Sequence, residues 1–269
     1  MSVDYPRFFY KYRSIGKADD LKSDHAVDAL LKNEAIFSSR TNFNDLFDSK
    51  IELIKPTPLQ LKETMRLAGK SDKVFINKLL NKGKLSSEGV IFIEGLEILF
   101  NELIDSYAFL SVSSKATSNL MWSHYANSHK GFCIEFKSEF MKADKVVYQE
   151  KIPKLNMIEI FHSSLNLISG EEMGRHVWQS LRTKLIEWEY ESEYRIQVSS
   201  SVGKIPAGKN FLKINYSPEF VESVIFGHRM PLDAKKIIID EMPSDTKFKQ
   251  AVARTSRIEI VNFDHRVGL

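Results

Sequence analysis

The sequence predicts a single α+β domain, a mixed or antiparallel sheet carrying helical insertions, and three observations lead there. Residues 7–14 (RFFYKYRS), 132–136 (FCIEF) and 188–198 (WEYESEYRIQV) alternate their side chains with the period of two that a strand requires. Residues 55–105 instead space their apolar side chains for helices, so that region reads as a helical insertion. No repeat, low-complexity tract or Pro/Gly/Ser-rich linker divides the 269 residues, so 1–269 reads as one domain.

The elements follow in order. In the strand 7–14, Phe8, Tyr10, Tyr12 and Ser14 point one way, and Phe9, Lys11 and Arg13 the other. A helix is expected over 19–33, with Ala26, Leu30 and Leu31 on its apolar side, then a short strand at 35–39. The loop 40–49 (RTNFNDLFDS) is rich in Asn and Asp, whose side chains bond nearby backbone and favour turns; Phe43 and Phe47 pin it to the core. Two or three helices fill 58–105, and the lysines near 70–84 form a solvated face. Residues 107–113 (YAFLSVS) are a strand. Thr117 and Ser118 can cap a helix over 119–130, which Gly131 stops in the left-handed conformation before the strand 132–136. Beyond lie a short strand at 145–148, helices at 155–167 and 171–187, and strands at 188–198 and 210–216. Residues 219–226 are strand-like and end at Gly227. A helix over 231–240 has proline in its first turn, and a strand at 258–263 closes the chain.

Composition sets bounds. Lysine and arginine (38) nearly balance aspartate and glutamate (35), so the net charge of +3 is far from that of a dedicated nucleic-acid binder. Cys133 is the only cysteine, which rules out an intrachain disulfide and a cysteine metal cluster and suits a reducing compartment. No stretch reaches the apolar length of a membrane span, and the N-terminus shows no secretory pattern. A cytoplasmic protein without a membrane partner is expected. There is no Walker phosphate loop, no dinucleotide glycine fingerprint and no nucleophile elbow. His124 and His129 stand five apart, about 140° around a helix, and cannot converge on one ion, so no metal is expected there.

Two stretches carry chemistry. The helix 119–130 would put Trp122, Tyr125 and His129 on one face, either as a ligand wall or as an ordinary core face. The strand 188–198 would put Glu189, Glu191, Glu193, Arg195 and Gln197 on one face, and Trp188, Tyr190, Ser192, Tyr194, Ile196 and Val198 on the other. Three carboxylates in a row repel, so that face is either solvated or answered by cations, for which Lys11 and Arg13 are cross-strand candidates. A dried Glu191–x–Glu193 pair can hold a ribose hydroxyl and stabilise charge at an anomeric carbon, or bind Mg²⁺ for phosphodiester cleavage.

The series Tyr10-Lys11-Tyr12-Arg13, Phe43-Asn44-Asp45-x-Phe47-Asp48, Met121-Trp122-Ser123-His124-Tyr125-Ala126 with His129-Lys130-Gly131, and Trp188-x-Tyr190-Glu191-x-Glu193-Tyr194-Arg195 resembles the bacterial family catalogued as domain of unknown function 2971. Leu46 stands where that family has proline, and membership implies no activity. A looser resemblance is to ADP-ribosyltransferases of the arginine–serine–glutamate type, through Arg13 (or Lys11), Ser111 or Ser113, and Glu191/Glu193 in that order. This second resemblance implies an ADP-ribosyltransferase-like fold and an NAD-consuming enzyme, a bacterial toxin or phage-defence effector. In it Glu193, Glu191 and Arg13 are catalytic, and Lys11, Tyr12, Ser111, Ser113, Trp122, His124 and Tyr125 bind NAD, with a protein or nucleic-acid acceptor. Two other readings stay open. One is a metal-dependent nuclease built on Asp45, Asp48, Glu135 and Glu191 or Glu193. The other is a non-catalytic module that senses a nucleotide or a partner. Both enzyme readings require Arg13, His124 and Glu193 to converge.

Overall fold

The computed structural model describes residues 5–16, 21, 23–69, 73–198, 205–206 and 208–264. Packing divides the chain into two compact units: Met1–Ser38 with Ala108–Val146 and Glu187–Leu269, and Ser39–Tyr107 with Val147–Ile186. Both combine helices with strands, so the chain is α+β.

The first unit holds a ten-stranded mixed sheet among the described residues. In chain order its elements are β1 (Phe8–Arg13), α1 (His25–Leu31), β2 (Glu34–Ser38), β3 (Phe109–Ser113), α2 (Asn119–Tyr125), β4 (Phe132–Lys137), β5 (Asp144–Lys145), β6 (Glu193–Gln197), β7 (Phe211–Asn215), β8 (Val221–Phe226), α3 (Leu232–Glu241), β9 (Phe248–Ala253) and β10 (Ile258–Asn262). The strand order is β7-β2-β3-β1-β4-β8-β9-β10, with β6 paired to β3 and β5 to β6. The β8–β9 pairing is parallel and the others are antiparallel.

Strand β3 positions the polar residues. It pairs with β6 along its whole length, from Glu193 opposite Ser113 to Gln197 opposite Phe109. Toward β2 and β1 it pairs only at its ends, Phe109 with Ser38 and Ser113 with Tyr10. The sheet is therefore split alongside Ser111, where Lys11 Nζ donates to the Ser111 carbonyl at 2.7 Å in place of a strand partner.

Alternation gives the sheet two apolar faces. Phe9, Leu110, Val112, Ile134, Phe136, Tyr194 and Phe226 pack against Val27 and Leu30 of α1 and Ala234 and Ile238 of α3. Tyr12, Cys133, Ile225 and Ala251 pack on the other side against Met121 and Trp122 of α2. Helix α1 is capped by Asp24, whose Oδ1 accepts the Ala26 and Val27 N–H groups. It occupies part of the expected 19–33; residues 17–20 and 22 lie outside the described residues.

The second unit is mainly helical: Pro58–Leu67, Lys73–Leu79, Ser87–Asp105, Met157–Ser164 and Gly170–Leu181. A capping box between Thr57 and Gln60, with Pro58 in the first turn, starts the first of these. Two short parallel pairs accompany them, Glu52–Ile54 with Lys154–Asn156 and Val147–Gln149 with Thr183–Leu185. The expected helices 155–167 and 171–187 are shorter for this reason, each giving up residues to a strand. No helix of the described residues is long and apolar enough to cross a membrane.

Two further expectations are corrected. The helix 119–130 ends at Tyr125, and Asn127, Ser128 and His129 then take φ of 46°, 54° and 71°. The left-handed reversal falls on these three residues and not on Gly131. Gly131 is needed because a Cβ there would overlap the Arg13 carbonyl. The strand 188–198 begins only at Glu193, because Ile186–Glu191 wind as a 3-10 turn and Ser192, at φ 47°, redirects the chain. Glu189, Glu191 and Glu193 therefore share no strand face.

Candidate functional site

The aromatic and acidic residues singled out in the sequence gather mostly on the α2 side of the sheet. Ser118 caps α2 by accepting the Met121 N–H at 3.3 Å. Trp122 is fully buried, and its Nε1–H donates to the Ala116 carbonyl at 2.8 Å. Tyr12 meets the indole edge-on at 5.0 Å and donates its hydroxyl to the Lys115 carbonyl at 2.7 Å. Tyr12 and Trp122 thus clamp the 115–118 turn from within the core, a packing role and not a ligand surface.

The next residues reach outward. Tyr125 is half-buried and its hydroxyl donates to Glu191 Oε1 at 2.5 Å. Burial, then the adjacent carboxylate, pushes the Tyr125 phenol well above its ordinary range. His124 is exposed, and its Nδ1 lies 2.9 Å from the Tyr190 hydroxyl with the rings 5.8 Å apart. Trp188 stands 5.9 Å from Tyr190, so three aromatic rings follow one another beside Glu191.

Both glutamates are buried, at 4% exposure each. Glu191 sits at the end of the 3-10 turn, and Ser113 Oγ holds that turn by donating to the Glu191 carbonyl at 2.6 Å. Glu193 opens β6, and Tyr194 beside it packs on the α1 side, which turns Glu193 and Arg195 to the α2 side. Arg195 is fully buried; its Nε donates to Glu193 Oε1 at 2.8 Å and its Nη2 to Oε2 at 3.3 Å. The guanidinium also lies 4.7 Å from the centre of the Phe109 ring. A two-pronged, charge-assisted pair of this kind is how a dry interior keeps both charges.

The expected pairing of Lys11 and Arg13 with the glutamate row is not formed. Neither cation has a salt bridge among the described residues. Lys11 and Arg13 line a cavity beneath α1, and Lys11 feels Glu193 and Glu191 electrostatically without forming a salt bridge to either. Arg13, His124 and Glu193 therefore do not converge. Ser113 joins the α2-side cluster, whereas Ser111 contributes a backbone carbonyl to Lys11.

Asp45 and Asp48 belong to the second unit, where Asp48 pairs with the buried Lys184 at 3.2 Å. Among the described residues no group of three or more His, Cys, Asp or Glu is placed to hold a metal ion.

Two features escaped the sequence reading. Arg195 is the cation that answers Glu193, and their i, i+2 spacing on one strand was the available signal. Glu135, at 3% exposure, is ringed by Lys249 Nζ at 2.5 Å, Ser223 Oγ at 2.5 Å and the Tyr10 hydroxyl at 3.2 Å. These partners come from β9, β8 and β1, and no local pattern announces them. Burial and then Glu135 raise the Tyr10 phenol above its usual range.

No curated protein and no solved structure matches the chain. One segment does find a counterpart, and it carries Trp122, His124, Tyr125, Tyr190, Glu191, Glu193 and Arg195: residues 121–196 match the model of the family described as "Protein of unknown function (DUF2971)".

Proposed function

We propose that the protein is a binding module for a nucleotide or NAD-like small molecule, received at the corner of α2 and the 186–191 turn, and that it senses this ligand without turning it over. The observation that carries the reading is the half-exposed row Trp188, Tyr190 and His124 beside the buried Glu191–Tyr125 pair. A planar base can stack on such rings, and the His124 Nε2 can bond its edge. Catalysis is disfavoured because Glu193 is already neutralised by Arg195 and Arg13 lies beneath α1. The test is a melting titration with NAD, ADP and ATP, accompanied by an assay for released nicotinamide. At a hundredfold excess over Kd, a ligand stabilises by about 2.7 kcal/mol, a rise of several degrees. Tyr190→Ala abolishes the rise. The reading fails if no nucleotide shifts the wild type, or if Tyr190→Ala responds equally.

One observation favours a second reading, an NAD-consuming enzyme of the ADP-ribosyltransferase kind acting on a protein or nucleic-acid acceptor, with Glu191 and Ser113 in place of the Arg13, His124 and Glu193 set that does not converge. Ser113 fastens the turn that carries Glu191, as a serine does when it steadies a catalytic glutamate. Glu191 would then polarise the ribose as nicotinamide leaves. A cytoplasmic toxin or phage-defence role belongs with this reading. Nicotinamide release by the wild type, lost in Glu191→Gln, supports it; equal release by both proteins ends it.

A further inference from the structure

Lys11 and Arg13 stand two apart on β1 and face the same way, into a cavity of about 20 Å³ beneath α1. Its walls are apolar, from Ala26, Ala29 and Leu30 of α1 to Ile134 and Phe136 of β4. Two cations under an apolar lid repel and lose hydration, which a fold tolerates when an anion answers them. Glu193 and Glu191 reach Lys11, and Asp24 reaches Arg13, only electrostatically, and none of them forms a salt bridge with either cation. Glu34, which also lines the cavity, is engaged by Lys213 Nζ at 2.7 Å. The Asp24 carboxylate is committed to the N–H groups of Gly16, Ala26 and Val27. Lys11 uses one of its three N–H groups on the Ser111 carbonyl, and the Arg13 guanidinium has neither hydrogen bond nor salt bridge among the described residues.

A third donor lies nearby. The Tyr216 hydroxyl is buried with no hydrogen-bond partner. Its ring packs edge-on, 5.3 Å from Phe136 of the cavity wall, and it lies within electrostatic reach of Arg13. Burial, and then the neighbouring Arg13, lowers the Lys11 ammonium to about 8, against a smaller opposing pull from Glu193 and Glu191.

We propose that Lys11, Arg13 and the Tyr216 hydroxyl form an anion site that takes the carboxylate or phosphate head of a small ligand. The site lies across the sheet from His124 and Tyr190 and does not depend on the reading of that corner. The cavity has room for one water-sized group, a single oxygen of the head, and the Arg13 fork suits either oxyanion.

Calorimetric titration of the full chain with inorganic phosphate and, separately, with acetate tests this. The wild type binds at least one of them, and whichever binds names the head group. Arg13→Gln weakens binding about tenfold or more, through the loss of charge-assisted bonds. Tyr216→Phe folds as the wild type does, because it deletes an unsatisfied hydroxyl, and weakens binding about fivefold. Absence of binding by either anion overturns the proposal, as does undiminished affinity in Arg13→Gln. Should Arg13→Gln fail to fold, undiminished affinity in Tyr216→Phe overturns it alone.

Discussion

The two faces of β1 treat buried charge in opposite ways. On the α2 side every acidic group has company: Glu135 is met by a lysine and two hydroxyls, Glu193 by Arg195, and Glu191 by Tyr125. On the α1 side Lys11 and Arg13 share a cavity, and neither forms a salt bridge among the described residues. Taking a charge out of water costs several kcal/mol unless a partner replaces the lost hydration. Satisfied charges of the first kind hold strands together. Unsatisfied charges of the second kind mark where a ligand completes the structure.

That contrast can be broken by substitution, and the largest effect falls on the paired side. Lys249→Met leaves Glu135 buried beside hydroxyls alone, and urea unfolding should show a loss of about 3–5 kcal/mol. A loss below about 1 kcal/mol would mean that this pair is not desolvated as its burial indicates. Arg13→Met should do the reverse in buffer free of phosphate and acetate. Removing a cation that has no salt bridge or hydrogen bond among the described residues leaves stability unchanged or raises it by about 1 kcal/mol, measured in the same way. A loss comparable to that of Lys249→Met would erase the distinction between the faces.

A pH series sharpens the contrast further. The Lys11 ammonium is lowered from 10.5 to about 8 by burial and by Arg13, so between these values the unfolded chain binds more protons than the folded one. This group's contribution to stability therefore rises from about pH 8 toward pH 10. Above about pH 10 it is opposed by Tyr10, Tyr12 and Tyr125, which keep their protons when folded and lose them when unfolded. Denaturation midpoints taken across this range should climb before they fall, and Lys11→Met should flatten the climb. The smallest effect belongs to Tyr190→Phe. It removes an exposed bond to His124 and should change stability by less than about 0.5 kcal/mol, so any larger change in ligand response reads on binding alone.

Much of this was legible along the chain where local chemistry governs. The alternation of Phe9, Lys11 and Arg13 against Tyr10 and Tyr12 assigned the two faces of β1 correctly, and Cys133 and Glu135 fell on their shared face of β4 by the same rule. Helix α2 began at its expected cap, but Asn127–His129 turned left-handed earlier than the glycine signal indicated. The apparent strand 188–198 misled because one residue in a left-handed conformation, Ser192, cancels any alternation read across it. Glu191 and Glu193 consequently share no strand face, although both stay within electrostatic reach of Tyr125.

The sequence by itself determined which residues alternate, where helices cap and which side chains carry charge, because those depend on neighbours a few positions away. Only the tertiary structure decided that Arg195 answers Glu193, that Lys249 answers Glu135, and that Arg13 faces away from both. The sheet brings β1, β3, β4, β6, β8 and β9 side by side from distant parts of the chain, and whether a buried charge is satisfied is settled by what lies across those strands.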